Sequence, residues 1–409
     1  MIHSLIVVCD FCIWFCVLLS ASYVIFFALA SRWRRHRLSE TAVSCGDTET
    51  VADERASCHE TDHQVADFLI LIPAYAEDNV ICQTVENLLQ LQYPRHHYHI
   101  AVISDHQQPT TDHWLAAHVD TLHTPQFQHS SKAKALQYAI RHNTFKAQYA
   151  VVLDADNVVE PCFLSQLCGI CSHLSGKTVV QCHRQAKNHQ TPVALLDAIS
   201  EEINNAVFRS GHNAVGLPAA LIGSGMCFPY RWFAEHVQLL ETAGEDKELE
   251  LLLLEQNYHI LFAEHIAVYD EKVSSSKVFH KQRSRWITAQ FQCLFSGMRE
   301  LPRSIGNRNV GLIDKTVQQL LIPRSLLLLL CLAGCMGATV YSLAASIKWW
   351  ALSVLLGVSL WLVVPSKYKT RRLFQALLSF PALCYGMILG LLKIDRHNKE
   401  FTHTSHGAS

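Results

Sequence analysis

Residues 5–30 form a nearly continuous apolar run, and no other feature of the sequence constrains the fold as strongly. A helix of that length crosses the hydrocarbon core of a bilayer, which is about 30 Å thick. Asp10, near one end, is the only charged residue in the run. A cleaved signal peptide is the alternative, but the run is longer than a typical signal core and no obvious small-residue cleavage site follows it. We therefore predict a transmembrane helix within residues 1–31.

The charges that follow this run predict its orientation. Four arginines come directly after it: Arg32, Arg34, Arg35 and Arg37. Positively charged residues that flank a membrane helix stay on the cytoplasmic side. The amino terminus is therefore predicted to lie outside, and the chain that follows the arginines to lie in the cytoplasm.

A second apolar region lies near the carboxyl terminus. Three runs occupy residues 326–345, 349–364 and 373–392. The first and third have spanning length, and the second is short but starts with Trp349 and Trp350, which suit a membrane interface. We predict a membrane region over residues 323–393, preceded by an amphipathic interfacial segment over 301–322.

The side of the carboxyl-terminal tail, residues 394–409, stays open. Three membrane helices after a single first one place the tail outside. The basic residues Lys393, Arg396 and Lys399 favour the inside instead. A re-entrant segment around Pro381 would reconcile the two.

The middle of the chain differs from its ends in the pattern of apolar and polar residues. Residues 39–66 are polar and predict a linker, and a domain is predicted over 67–300. Within it, short apolar bursts that end in turn residues occupy 67–75, 98–105 and 147–156, with helix-like stretches between them. This alternation is typical of an α/β domain with a mainly parallel sheet. The net charge of −1 does not indicate the positively charged surface that is typical of nucleic-acid-binding proteins.

Carboxylates follow three of the predicted strands. They are Glu77 and Asp78, Asp105, and Asp154 with Asp156. Ligands of open α/β sheets bind beyond the carboxyl ends of the strands. Two carboxylates one residue apart can hold a hard divalent cation, although aspartates are also common in ordinary turns. Three such strand ends together favour a bound cation and nucleotide, since clustered carboxylates repel one another.

Three other segments carry candidate site residues, each with a simpler alternative. Lys132 begins a predicted helix and suits a phosphate, or it lies on a solvated basic face. Asp246 suits a general base, or it complements a helix dipole in the first turn. Gln282, Arg285 and Trp286 combine groups that bind phosphate and stack on sugars, or they belong to a basic patch next to the membrane.

The order of these motifs resembles the processive branch of glycosyltransferase family 2, which includes cellulose, chitin and hyaluronan synthases and ceramide glucosyltransferase. The resemblance covers about residues 67–300 and the flanking membrane helices. It implies a GT-A fold, which is Rossmann-like, and a divalent metal, Mg²⁺ or Mn²⁺. It implies that Asp156 ligates the metal and that Asp246 is the catalytic base. The substrate-binding residues that it implies are Ala74, Tyr75, Glu77, Asp105, Lys132, Asp154, Gln282, Arg285 and Trp286.

The resemblance also implies the activity. It predicts an inverting hexosyltransferase of the cell membrane, multi-pass, with a cytoplasmic catalytic domain. The donor would be a nucleotide-sugar, specifically a UDP-sugar, and the acceptor a growing cell-surface polysaccharide. A single addition to a lipid is the alternative, and a membrane protein that binds sugar nucleotides without catalysis ranks lower. The small membrane region departs from family members that conduct a polymer.

Overall fold

The computed structural model describes residues 2–44, 65–174, 176–242, 244–272, 294–295 and 297–378. The predicted site residues Gln282, Arg285 and Trp286 lie outside the described residues, as do most of the linker and the tail 394–409.

Apolar segments rich in Val, Ile and Leu form the strands, as their β-propensity favours. The strands are β1 (Phe68–Tyr75), β2 (Tyr98–Asp105), β3 (Thr121–His123), β4 (Tyr149–Val152), β5 (Val158–Val159), β6 (Thr178–Ala186), β7 (Met226–Pro229) and β8 (His259–Asp270). They form one eight-stranded sheet in the order β3-β2-β1-β4-β7-β6-β8-β5. Strands β3, β2, β1 and β4 run parallel, as do β6 and β8, whereas β7 and β5 are antiparallel to their neighbours.

Helices alternate with these strands and flank the sheet. Those up to β8 are α1 (Ile2–Ser44), α2 (Ile81–Leu88), α3 (Pro109–His118), α4 (Lys132–His142), α5 (Phe163–His173), α6 (Pro192–Asn205), α7 (Gly211–Ala214), α8 (Tyr230–His236) and α9 (Glu245–Glu255). A π-helical turn, Ala206–Ser210, joins α6 to α7. After β8 come α10 (residues 297–306), α11 (Val310–Leu320), α12 (Arg324–Tyr341), α13 (Leu343–Val363) and α14 (Arg371–Leu377).

The sheet is buried on both faces. Along β1, Phe68, Ile70 and Ile72 join one apolar cluster, whereas Leu69 and Leu71 join another. This separation follows from the alternation of side chains along a strand. Helices α2 and α5 cover the first face, and α4 and α9 cover the second. A continuous apolar strand sequence is typical of such doubly covered parallel strands. The predicted α/β class is confirmed.

Three helices of the described residues are long and apolar enough to cross a membrane: Val7–His36, Arg324–Tyr341 and Leu343–Val363. The apolar run that starts at Trp349 is thus part of a longer helix, which begins at Leu343. In the sequence, the charged Lys348 interrupts the apolar residues of this helix, so the predicted run started only after it. Its ammonium lies 2.5 Å from Asp10 of α1, and Trp349 Nε1 donates to the same carboxylate at 2.9 Å. The lone acid of the first span is therefore paired, as charges within membrane helices generally are.

Helix α1 also packs closely on the α/β unit at Gly211. A Cβ atom at Gly211 would collide with the carbonyl oxygen of Phe27 in α1. The imidazole of His212 stacks on the Phe27 ring with a centroid separation of 3.8 Å, and His212 is fully buried. The first span is therefore fixed to the sheet-bearing part of the chain at a backbone contact that only glycine permits.

We expect Gly211→Ala to lower the apparent melting temperature, even though alanine is the better helix former. The collision with a backbone oxygen costs about 1–3 kcal/mol, more than the gain in helix propensity of about 1 kcal/mol. The matched control is Gly169→Ala in α5, where an added Cβ meets nothing within 4 Å and should leave stability unchanged or raised. Equal melting temperatures for the two variants would show that α1 does not dock at this point.

Candidate active site

The candidate site lies at one edge of the sheet, where parallel strands end. Tyr75, the last residue of β1, is aligned with Asp105, the last residue of β2. Asp154 follows within two residues of the end of β4, which pairs with β1 on its other side. Ala74, just before Tyr75, is 2% exposed. The carboxyl edge of an open α/β sheet is the usual place for a ligand.

The turns after β1 and β2 have strained backbone conformations. Ala76 and His106 have φ angles of +51° and +62°, in the left-handed region that disfavours side chains. The Ala76 N–H donates to the carbonyl oxygen of Asp105 at 3.0 Å and so ties the two turns together. The buried carboxylate of Asp105 lies 2.6 Å from His106 Nδ1. Strained residues held by their surroundings concentrate at functional sites, and both lie next to predicted binding residues.

The loop after β4 is held rigidly by Asn157, which is 1% exposed. Asn157 Oδ1 accepts hydrogen bonds from the backbone N–H of Asp154 at 2.9 Å and from the hydroxyl of Ser224. Its amide nitrogen donates to Asp156 Oδ1 at 3.1 Å. The second oxygen of Asp156 accepts from the backbone N–H of Glu271 at 2.9 Å. Both carboxylate oxygens of Asp156 are thereby oriented.

Negative charge accumulates at this edge. Burial raises the pKa of Glu77 to about 8, and the carboxylates of Asp156, Asp154 and Glu271 contribute to the rise. In the described part of the chain, no three His, Cys, Asp or Glu side chains surround a single ion position. The donor set nevertheless fits Mg²⁺ or Mn²⁺, because such ions bind through one or two carboxylates together with phosphate oxygens of the substrate. Asp156 is the carboxylate of this set with a hydrogen bond on each oxygen.

Asp246 lies in the first turn of α9, next to the glycine loop before β7. Gly223 in that loop has a φ angle of +83°, and a Cβ atom on it would stand 3.9 Å from the Asp246 Cβ. Asp246 Oδ1 accepts from the backbone N–H of Lys247 at 2.8 Å, and its side chain is 20% exposed. The neighbouring Glu245 is buried, and burial raises its pKa to about 7 against the opposing charge of Lys132. Asp246 is thus the more accessible of the two carboxylates.

The structure brings together the predicted residues at the strand ends and those at α9. The link is Lys132, whose ammonium contacts Asp154 and also the carbonyl oxygen of Gly223, 2.6 Å away. The other predicted residues at this edge are Ala74, Tyr75, Glu77, Asp105 and Asp156. Because Gln282, Arg285 and Trp286 lie outside the described residues, their proximity to this edge remains a prediction.

Sequence analysis missed a fourth charged strand end. Arg184 of β6 donates through Nε to Asp270 Oδ2 of β8 at 2.8 Å, and Lys272 donates to the same oxygen at 3.0 Å. The Lys187 ammonium contacts the carbonyl oxygen of Asp156, and burial lowers the pKa of that ammonium. A signal was present, because the apolar run 259–269 ends in Asp-Glu-Lys just as earlier strands end in carboxylates.

We expect Mg²⁺ to raise the apparent melting temperature more at about pH 8.5 than at about pH 6.5. Because the pKa of Glu77 is raised in the folded protein, Glu77 contributes stability that is fully present below its usual pKa of 4.5. That stability is lost as the pH rises through about 8, where Glu77 ionises in the folded state. A cation compensates the ionised cluster, and at about 100 times its Kd it adds about 2.7 kcal/mol, or roughly 5 °C or more. Thermal melts with and without Mg²⁺ measure the effect. Glu77→Gln should reduce the pH dependence, and an equal increment at both pH values in both proteins would contradict the assignment.

Comparison with known proteins places this geometry in a family. The family model described as glycosyltransferase like family 2 matches residues 65–289. No curated protein sequence matches the chain. Among solved structures, the mannosyltransferase PcManGT from Pyrobaculum calidifontis, in complex with GDP-Man and Mn²⁺, matches with a TM-score of 0.52 at 16% identity, covering 90% of this chain and 99% of that one. TarS 1–349 of S. aureus, in complex with UDP-GlcNAc, matches with a TM-score of 0.40 at 11% identity, covering 80% and 89%.

The match to the mannosyltransferase, together with the sheet order, confirms the predicted GT-A-like fold. The family model covers more than half of the 409 residues and includes every described residue of the candidate site. The chain therefore belongs to glycosyltransferase family 2.

Proposed function

We propose that the protein is an inverting, metal-dependent membrane hexosyltransferase that transfers a sugar from a UDP-sugar to a growing cell-surface polysaccharide. The observation that carries this proposal is the linkage of Asp154 to the start of α9 through Lys132. It joins the acidic strand ends, which suit a metal-bound diphosphate, to the carboxylate of Asp246, which suits a base.

In the proposed reaction, Asp246 accepts the proton of an acceptor hydroxyl. The oxygen then attacks the anomeric carbon, the bond from that carbon to the diphosphate oxygen breaks, and UDP leaves with the bonding electron pair. A divalent cation held by Asp156 would supply charge neutralisation for the departing diphosphate. Gly223, in the loop before β7, lies beside Asp246 and contributes no side chain there.

Inversion is the expected outcome of this arrangement. A single in-line displacement needs one base, whereas retention by double displacement needs a second carboxylate as a nucleophile. Glu245, the neighbouring carboxylate, is only 8% exposed and lies 3.6 Å from the Lys132 ammonium. Asp246 is therefore the more exposed of these two neighbouring carboxylates, which supports a single displacement.

The protein is proposed to be a multi-pass cell-membrane protein with a cytoplasmic catalytic domain over residues 67–300. Three apolar helices of spanning length support membrane insertion. The arginines that follow the first span support the orientation, and Arg35 lies 2.5 Å from Glu264 of β8, close to the sheet. Exposed Val310, Val317 and Leu320 on α11 support an interfacial segment that leads into α12.

A lipid acceptor is the second candidate, and two contacts with the turn after α13 favour it. Lys367, in the turn after α13, donates to Gln185 Oε1 of β6 at 2.8 Å. The ring of His189, just beyond β6, lies 5.7 Å from that of Tyr368. The end of β6, which carries Lys187 to Asp156, therefore lies against the membrane-proximal turn. An acceptor anchored in the bilayer would reach the site from this side.

The direct test uses membranes from an overexpressing strain, incubated with labelled UDP-sugars and GDP-sugars in the presence of Mg²⁺ or Mn²⁺. We expect label from one UDP-sugar to enter a product of high molecular mass. A small labelled product that partitions into organic solvent would select the lipid acceptor instead. Absence of transfer from every donor, with the protein folded and inserted, would refute the proposed activity.

A further inference from the structure

The side chain of Lys132 points into the site and contacts the protein there. Lys132 is the first residue of α4, and its side chain is 14% exposed. Its ammonium donates to Asp154 Oδ1 and to the carbonyl oxygen of Gly223, and it lies 3.6 Å from Glu245 Oε1. These partners belong to three segments: the loop after β4, the glycine loop before β7 and the first turn of α9. One buried cation therefore joins three parts of the site.

Two hydrogen bonds and an ion pair within the protein engage this ammonium group. A lysine has three N–H donors, of which Asp154 and Gly223 take two. Glu245 lies beside the ammonium as an ion-pair partner at 3.6 Å. Burial opposes the charge of Lys132, but the charges of Asp154 and Glu245 outweigh it and raise the pKa of Lys132 above its usual value. Because carboxylates on two sides offset its charge, the Lys132 ammonium is a poor ligand for a phosphate.

The same trio governs the position of the proposed base. Asp246 follows Glu245 directly in α9, and Gly223, whose carbonyl oxygen accepts from Lys132, has a φ angle of +83°. Glycine accepts that conformation without strain. A displacement of Glu245 from Lys132 would therefore move Asp246 relative to Asp154 and the metal-binding loop.

We propose that Lys132 and Glu245 form a positioning pair that holds Asp246 and Asp154 in register, and that Lys132 is not a ligand of the donor phosphates. The proposal rests on the proposed function for the reaction that the pair serves. It gives Lys132 a role other than the substrate binding expected from the sequence, and it gives Glu245 a role where none was expected.

The test compares Lys132→Met, Glu245→Gln and the double variant. Lys134→Met is the matched control, because Lys134 is exposed on the same helix and its ammonium donates to the backbone oxygen of His129. For each protein we would measure the apparent melting temperature, kcat and KM for the donor, and the Kd of UDP.

If Lys132 and Glu245 form this positioning pair, the substitutions should affect stability and turnover differently. Lys132→Met should lower the melting temperature by at least about 5 °C, because it leaves the buried Glu245 and the partly exposed Asp154 without their cation. Neutralising Glu245 in the double variant should restore at least half of that loss. Turnover should fall about tenfold or more in both, since neither restores the link, whereas donor KM and the Kd of UDP should change less than about threefold. Lys134→Met should behave as the wild type.

Two results would overturn the proposal. A rise of about tenfold or more in donor KM and in the Kd of UDP, with kcat preserved, would make Lys132 a ligand of the donor. Recovery of turnover together with stability in the double variant would make the pair purely structural. If Lys132→Met does not fold, the same two outcomes are decided by the double variant and Glu245→Gln. If the wild type transfers no sugar, the proposed activity fails, while melting temperatures and UDP binding still test the pair.

Discussion

Replacement of Asp246 by asparagine is expected to lower the transfer rate about a thousandfold, which corresponds to about 4 kcal/mol of lost transition-state stabilisation. Asparagine keeps the side-chain oxygen that accepts from the Lys247 N–H, so the first turn of α9 should stay intact. It removes the basic oxygen that takes the acceptor proton. Because Asp246 does not hold the nucleotide in the proposed reaction, the Kd of UDP should change less than about twofold. Initial rates with labelled donor and calorimetric titration with UDP measure the two quantities.

The control for Asp246→Asn is Glu235→Gln, which neutralises an exposed carboxylate in α8 that pairs with Arg231. It should transfer sugar at the wild-type rate. Asp246→Asn protein that keeps more than about a tenth of wild-type turnover would exclude Asp246 as the base, because general-base catalysis contributes at least about a hundredfold. Loss of UDP binding in the same variant would instead assign Asp246 to the donor site.

Asp156→Asn should have an effect of similar size, through the metal. Charge neutralisation of the leaving diphosphate is worth several kcal/mol, so we expect turnover to fall about 100-fold to 1,000-fold at saturating Mg²⁺. Asparagine can still accept from the N–H of Glu271, which preserves part of the anchoring of the loop. The variant should bind UDP with nearly equal affinity whether or not Mg²⁺ is present, whereas the wild type should bind it more tightly with Mg²⁺.

In each protein, the UDP titration without Mg²⁺ serves as the control for the titration with Mg²⁺. A general loss of UDP affinity in both conditions would indicate that Asp156→Asn disturbs the fold around Asn157. Unchanged enhancement of UDP binding by Mg²⁺ in the variant would exclude Asp156 as the metal ligand. In that case Glu77, which lies within the same acidic cluster, would be the next residue to replace.

Much of the fold follows from local sequence pattern. The apolar bursts at 67–75 and 98–105 are long enough, and rich enough in branched residues, to predict buried strands, and their last residues identify the edge where the site lies. Asp105 and Asp154 are found at that edge for this reason. The same reasoning missed the charged residues at the ends of β6 and β8, and in β8 Glu264 and His265 interrupt the apolar pattern of residues 259–269.

What the sequence does not reveal are partnerships between distant residues. Asp10 and Lys348 are 338 positions apart, and in the sequence each is an isolated charge in an apolar segment. In the structure they pair with each other and join the two helices that carry them. Lys132 shows the same limit. Its place at a helix start indicates a phosphate ligand, but tertiary packing brings it to Asp154 and Glu245, and no local pattern predicts either contact.

The location of the donor can be tested most directly by a structure of the complete chain in lipid nanodiscs with Mn²⁺ and a UDP-sugar analogue that cannot be transferred. We predict the cation at coordination distance, about 2.2 Å, from Asp156, with the diphosphate beside it and Asp246 facing the anomeric carbon from the acceptor side. Density for the cation and nucleotide at any place other than the carboxyl edge of β1, β2 and β4 would contradict this arrangement and the reaction derived from it.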